Sequence, residues 1–111
     1  MKLVNLTPHA LVVRLNDGTE RRIEPSGTIA RVATTAREVG TVNGIPVVET
    51  TYGDIEGLPA PEDGTVYIVS SLVLAAARAS GRADVLAPDT SPESAIRDDA
   101  GRIVAVRRFT R

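Results

Sequence analysis

The pattern of apolar and polar positions in the first half of the chain favours short strands joined by tight turns. Short apolar runs occupy residues 2–6 and 10–15, and residues 28–35 alternate with the period of two that is typical of a strand. Asn-Asp-Gly at 16–18 and Asn-Gly at 43–44 stand between apolar runs, which is a strong hairpin signal. The opening of the chain therefore predicts an antiparallel meander, followed by a second hairpin.

The second half predicts one helix among further strands. Residues 53–64 are rich in Gly, Pro and acidic side chains and predict a loop, and Thr65–Val69 then predicts a buried strand. Ser70 or Ser71 can cap a helix over about residues 71–80, because a serine oxygen accepts a hydrogen bond from the first turn. Gly81 fits the C-terminal stop of that helix.

A short strand is predicted after the helix, and a hairpin closes the chain. Residues 84–87 complete a strand-helix-strand unit, but the short connection leaves open whether the two strands are parallel. Asp99-Ala100-Gly101 predicts the turn of the last hairpin. The expected fold is α+β: a small single domain over residues 1–111, mostly antiparallel strands and hairpins, with one helix.

Composition narrows the classes of function. The chain has 111 residues, a net charge of -1, one His and no Cys, so disulfides, thiol catalysis and cysteine-held zinc are excluded. The balanced charge is unlike that of a nucleic-acid binder. The sequence shows neither a signal peptide nor an apolar run long enough to span a membrane. We therefore expect a cytoplasmic protein with no nucleic-acid or membrane partner and no cofactor.

The polar residues that follow the strand-helix-strand elements form the main candidate site. If the two strands are parallel, Ser70, Ser71, Asp89 and Thr90 lie at their carboxyl ends, where open α/β sheets bind ligands. The N–H groups of a helix N-terminus attract anions, so the serines can hold a phosphate or carboxylate. The alternative is structural: a helix cap at the serines and a self-bonded turn at Asp89.

Two further residues complete the candidate set. His9 is the only histidine of the chain, and it either bonds a ligand or fixes a strand bend. Arg97 opens a locally basic C-terminal segment and either pairs with an anion or belongs to a solvated face. No catalytic motif is present. Four loop carboxylates offer a weak divalent-cation site, and a solvated acidic loop is the alternative: Asp54, Glu56, Glu62 and Asp63.

Several strings carry a resemblance across nearly the whole chain: NLTPHALVV, EPSGTIARV, GIPVVETTYGDIEGLP, GTVYIVSSLV and IRDDAGRIVAVRRF. They resemble a group of small proteins of about this length encoded by bacteriophages, prophages and bacteria. The resemblance implies a phage context without a known activity or known catalytic residues. Small non-catalytic phage proteins that sequester nucleotide signals are one role that fits this context.

Three hypotheses of function result. The first is a non-catalytic binding protein for a small anionic, nucleotide-like ligand, built as a homo-oligomer with its pocket between subunits. Its site would contain His9, Ser70, Ser71, Asp89, Thr90 and Arg97. The second is a phage accessory or structural module that binds protein through an edge strand, a hairpin or the loop 57–64. The third is a small hydrolase with His9 as base. A strand-end cluster that faces solvent without a concavity would favour the second.

Overall fold

The fold is α+β with strands predominating, as predicted. The structure is a computed structural model that describes all residues from 1 to 111. Its elements in chain order are β1 (Lys2–Asn5), β2 (Leu11–Arg14), β3 (Glu20–Ile23), β4 (Arg31–Val42), β5 (Ile45–Glu56), β6 (Thr65–Ile68), α1 (Ser71–Ala79), β7 (Val85–Pro88), β8 (Ala95–Arg97), β9 (Ile103–Val106) and β10 (Phe109–Thr110).

The main sheet carries the helix. Its strand order is β1-β6-β7-β10, in which β1, β6 and β7 are parallel and β10 is antiparallel to β7. Because α1 connects β6 to β7, the predicted strand-helix-strand unit is confirmed, and its two strands are parallel. The helix buries Val73, Leu74 and Ala77 in a core that also contains Leu6 and Tyr67.

Both ends of α1 are set by local sequence. The Ser70 hydroxyl accepts a hydrogen bond from the Val73 amide at 3.4 Å, so the predicted cap is confirmed. At the other end Gly81 adopts a φ of 84°, which favours glycine, and its amide donates to the Arg78 carbonyl at 3.0 Å. The next amide, that of Arg82, donates to the Ala77 carbonyl at 3.0 Å. This pair of bonds is a Schellman motif, and it ends the helix where the glycine predicts.

The second sheet joins two hairpins that are far apart in sequence. Its strand order is β3-β2-β9-β8, with antiparallel β2–β3 and β8–β9 hairpins. The hairpins are joined by a parallel pairing of β2 with β9, at Val13 and Val106. Both hairpins were predicted from their turn residues, and both are confirmed.

The predicted meander is wrong at β1, which pairs in parallel with β6 in the other sheet rather than with β2. Asn5 explains the change of sheet, because its side chain turns the chain directly after β1. Its Oδ1 accepts from the Thr7 amide at 2.9 Å, and its Nδ2 donates to the carbonyls of His9 at 2.8 Å and Ile23 at 3.1 Å. Burial of Leu6 in the core beneath α1 favours the pairing with β6.

Strands β4 and β5 form a separate two-stranded ribbon of 12 residues on each side. The predicted Asn43-Gly44 turn is confirmed: both residues have positive φ, 53° and 79°, as a type I′ turn requires. The predicted loop 53–64 is wrong at residues 53–56, which belong to β5. These residues continue the strand because Ile55 pairs with Val32 and packs against the core.

The ribbon projects from the body of the protein. Residues 33–54, which we call the arm, are all exposed, whereas the ends of the ribbon at Val32 and Ile55 are partly buried. The radius of gyration is 16.6 Å, whereas about 13 Å is usual for a compact chain of this length. The arm accounts for this elongation, since neither sheet continues into it.

Candidate functional site

Five of the six predicted site residues follow the three parallel strands of the main sheet. Register pairs Asn5 with Ile68 and Ile68 with Leu86, so β1, β6 and β7 end at the same edge. The residues that leave these strand ends are His9, Ser70, Ser71, Asp89 and Thr90. The topology thus groups them at one edge, which is the placement that the strand-helix-strand prediction required for Ser70, Ser71, Asp89 and Thr90; His9 joins them because β1 is parallel to β6.

The serines at this edge serve the helix. Ser70 is exposed, and its hydroxyl caps α1 through the Val73 amide. Ser71 is the first helical residue and is also exposed. The first turn of α1 carries no acidic side chain to offset the positive end of the helix dipole. The arrangement is a capped helix start that is open to solvent.

The carboxylate of Asp89 is hydrogen-bonded to other groups of the protein. It accepts hydrogen bonds from the Arg108 guanidinium and, at 2.9 Å, from the Ser91 amide. The Arg108 bond is the larger cause, and together with the Ser91 bond it lowers the pKa of Asp89 to about 2. Its own amide donates to the Arg108 carbonyl at 3.0 Å. This is the self-bonded turn that the sequence offered as an alternative to a ligand contact, and Thr90 beside it is exposed.

Neither His9 nor Arg97 lines a pocket with the other predicted site residues. His9 is exposed, and its hydrogen bonds are made by its carbonyl, which accepts from Asn5 and Thr7. Arg97 belongs to β8 in the second sheet, where its Nη1 donates to the Gly101 carbonyl at 2.7 Å across the hairpin turn. The imidazole has no bonded carboxylate or hydroxyl beside it, so the geometry gives the hydrolase hypothesis no support.

The two cavities of the protein lie elsewhere. The larger is an open groove of about 760 Å³ between the base of β5 and α1, which we call the root groove. Its lining is mainly apolar and includes Tyr52, Ile55, Leu58, Leu72, Ala75 and Ala79. The smaller, about 450 Å³, lies where the β2–β3 hairpin meets Leu3 and Phe109. None of the six predicted site residues lines either one.

Arg82 fixes one side of the root groove. Its guanidinium donates to both carboxylate oxygens of Asp84, each at 2.9 Å, and to the Pro59 carbonyl at 2.9 Å. These bonds lower the pKa of Asp84 and raise that of Arg82. The arginine thereby links the loop that follows the arm to the segment that precedes β7 at this wall of the groove.

Sequence reasoning missed the root groove, although a signal was present. Leu72, Ala75 and Ala79 recur at helical spacing on the side of α1 opposite to its buried residues. A helix that is apolar on more than one side contacts more than one apolar surface. Sequence reasoning also missed the structural role of Asn5. The signal there is a polar residue within an apolar strand, two positions before Thr-Pro.

The remaining candidate chemistry is dispersed. The structure places no three His, Cys, Asp or Glu side chains where they could hold a metal ion, so the four loop carboxylates do not form a cation site. No helix has the length and apolar character needed to cross a bilayer. Comparisons with models of protein families, with curated proteins and with solved structures give no match. The resemblance to phage-encoded proteins stays a prediction, and function is argued from the surfaces of the molecule.

Proposed function

We propose that this protein is an interaction module, a phage accessory or structural subunit of the cytoplasm that binds protein through its arm. One observation carries the proposal: the tip of the arm, residues 39–48, is exposed, mainly apolar and free of charged side chains. Val42 is 62% exposed, Ile45 66% and Val48 54%. A soluble surface rarely leaves aliphatic residues grouped in this way unless another surface covers them.

The backbone of the arm supports the same proposal. A two-stranded ribbon alone is marginally stable in water, and both of its edges present unpaired N–H and C=O groups. Proteins that avoid pairing place lysine or other charges on such edges. Because the tip has none, its edges are available to a partner, as in binding modes that add a strand to an exposed edge. The strand-end cluster favours this hypothesis too, since its exposed side chains line no cavity.

A matched pair of variants tests the role of the arm. Val42→Lys/Ile45→Lys places charges on the tip, and Val104→Lys changes a 47% exposed valine of β9, away from the arm. Native mass spectrometry of each protein, purified from host or infected cells, reports every retained chain. We expect the wild type and Val104→Lys to carry a further protein mass that the tip variant loses. A tip variant that retains every wild-type partner would contradict the proposal.

A second candidate is binding of a small anionic, nucleotide-like ligand at the strand-end edge, within a homo-oligomer. It is favoured by the grouping of exposed Ser70, Ser71 and Thr90 at one edge, beside a helix start that lacks acidic residues. The same mass spectra test it, because denaturing release would yield the ligand. Ser71→Glu should then abolish retention by repelling the anion, and Arg97→Ala would show whether Arg97 belongs to the site. No retained mass, and no thermal shift with nucleotides, would reject this candidate.

A further inference from the structure

We infer that the partner of the arm is a second copy of this chain, and that the tip of each arm docks in the root groove of the other copy. The inference rests on the proposed function only in taking the arm as a protein-binding element. It adds the identity of the partner and the surface that receives the tip. Two properties of the arm carry it: its length and its polarity pattern.

The arm and the groove are placed for a reciprocal exchange. The groove lies at the base of the ribbon, and the apolar tip lies at its far end, roughly 36 Å away at about 3.3 Å per residue. Two arms of equal length that lie side by side in opposite directions bring each tip to the other's base. A two-fold symmetric pair therefore fills both grooves at once and closes without leaving a free tip.

The groove matches the tip in chemistry and size. Val42 and Ile45 are cross-strand partners, so their side chains share one face of the arm. The groove offers the exposed apolar side chains of Leu72 and Tyr52, with the small side chain of Ala79 leaving room between them. Its volume of about 760 Å³ accommodates several aliphatic side chains. Docking would cover apolar surface on both sides of the contact, which is favourable in water.

The middle of the arm is polar. Between the tip and the base, both strands are rich in Thr and charged residues, unlike the tip. Arg37 and Glu49 are paired across the strands, with an N–O distance of 3.6 Å, and Arg37 lies midway between Arg31 at the base and Asn43 at the turn. The apolar surface of the arm is therefore concentrated at its tip, which is the part that the apolar root groove of a second copy would cover.

The extent of the arm also suits a stable pair. A standard interface uses about 20–30 residues on each side. Any one face of the arm presents about half of residues 33–54, because alternate side chains of a strand point to opposite faces, and the residues that line the root groove add to them. A small ligand in the groove would leave most of this surface uncovered, and an edge-adding peptide would leave the groove empty. A second copy accounts for both features together.

Cross-linking between two single-cysteine variants tests the docking directly, because the chain contains no cysteine of its own. Ile45→Cys marks the tip and Ala79→Cys marks the groove. On mixing under mild oxidation, we expect a disulfide-linked species of twice the 11.7 kDa chain mass, formed at least about tenfold faster than when Val104→Cys replaces the tip variant. Equal rates in the two mixtures, or tip-to-tip linkage as the main product, would overturn the inference.

Sedimentation velocity separates the inference from the proposed function. Without any added ligand, the wild type and Val104→Lys should sediment as dimers, and Val42→Lys/Ile45→Lys as a monomer with an unchanged melting temperature. A monomeric wild type would overturn the inference, while the arm could still bind a different protein. A wild-type dimer that the tip variant does not dissociate would overturn the inference and count against the proposed role of the arm.

Discussion

Gly57 is where the ribbon leaves the body, and replacing it by alanine tests how the base of the arm is built. Its φ is +81°, and an added Cβ would overlap the carbonyl oxygen of Ile29. It would also lie 3.1 Å from the Ile29 carbonyl carbon and 3.3 Å from the Ala30 Cα. These neighbours are backbone atoms that cannot swing aside, since Ala30 is buried and its amide donates to the Leu6 carbonyl at 3.0 Å.

Two costs therefore add in Gly57→Ala. A left-handed conformation costs a non-glycine residue about 1–2 kcal/mol. Forcing an extra methyl group into a packed site costs about 1–3 kcal/mol. The sum, about 2–5 kcal/mol, is a large part of the roughly 5–15 kcal/mol that stabilises a typical domain. At about 4 °C for each kcal/mol, the melting temperature should fall by about 8–20 °C.

Gly64→Ala is the matched control. Gly64 also has a left-handed φ, +73°, but nothing lies within 4 Å of an added Cβ. It should therefore show only the conformational cost of about 1–2 kcal/mol. Urea unfolding of both variants, with unchanged denaturant slopes, gives the two losses of stability. Losses that agree within about 0.5 kcal/mol would refute the close approach of Gly57 to the Ile29 carbonyl.

Three further predictions concern hydrogen-bonded positions. Asn5→Ala, at a residue only 1% exposed, should lower the free energy of unfolding by about 2–4 kcal/mol because it removes a buried amide that bonds the Thr7 amide and the carbonyls of His9 and Ile23, whereas Asn16→Ala in an exposed turn should change it by less than about 0.5 kcal/mol. Ser70→Ala should cost about 1 kcal/mol through loss of the helix cap, and Ser71→Ala much less, both by thermal unfolding. Asp89 has a folded pKa of about 2 against about 3.9 when unfolded, so its stabilisation is complete above about pH 4 and is lost as the pH falls toward 2. Denaturant titrations between pH 5 and 2 should show a shallower decline for Asp89→Asn, and identical slopes would contradict the ion pair.

The features that sequence predicted correctly are those decided within a few residues. The turn at Asn43-Gly44 needs two positive φ values, and the end of α1 needs one at Gly81, so residue type alone is informative. Ser70 caps the helix that begins directly after it. In each case the physical cause and the residue that reveals it are neighbours in the chain, which is why these elements could be placed.

Features decided by distant residues could not be predicted. Strand β1 pairs with β6, as at Leu3 and Val66, because this arrangement lets the chain bury Leu6. The polar pattern of β1 would be the same if it paired with β2, so the pattern does not identify the neighbour. The carboxylate of Asp89 accepts a hydrogen bond from Arg108, which lies between β9 and β10. Arg97 was predicted to bind an anion because the C-terminal segment is basic. It lies away from the strand-end edge because β8 belongs to the second sheet, and no local pattern shows to which sheet a strand belongs.

The joining of β2 to β9 has a consequence for synthesis of the protein in a cell. Val13 finds its partner only when Val106 has been made. At about 5–20 residues per second, the roughly 90 intervening residues take about 5–20 seconds to translate. Throughout that interval the β2–β3 hairpin lacks β9, the strand that completes its sheet. Strand β1 likewise cannot pair until β6 has been made, although the delay is shorter. Such long-range parallel pairings fold slowly, and the second sheet can form only after translation has passed Val106.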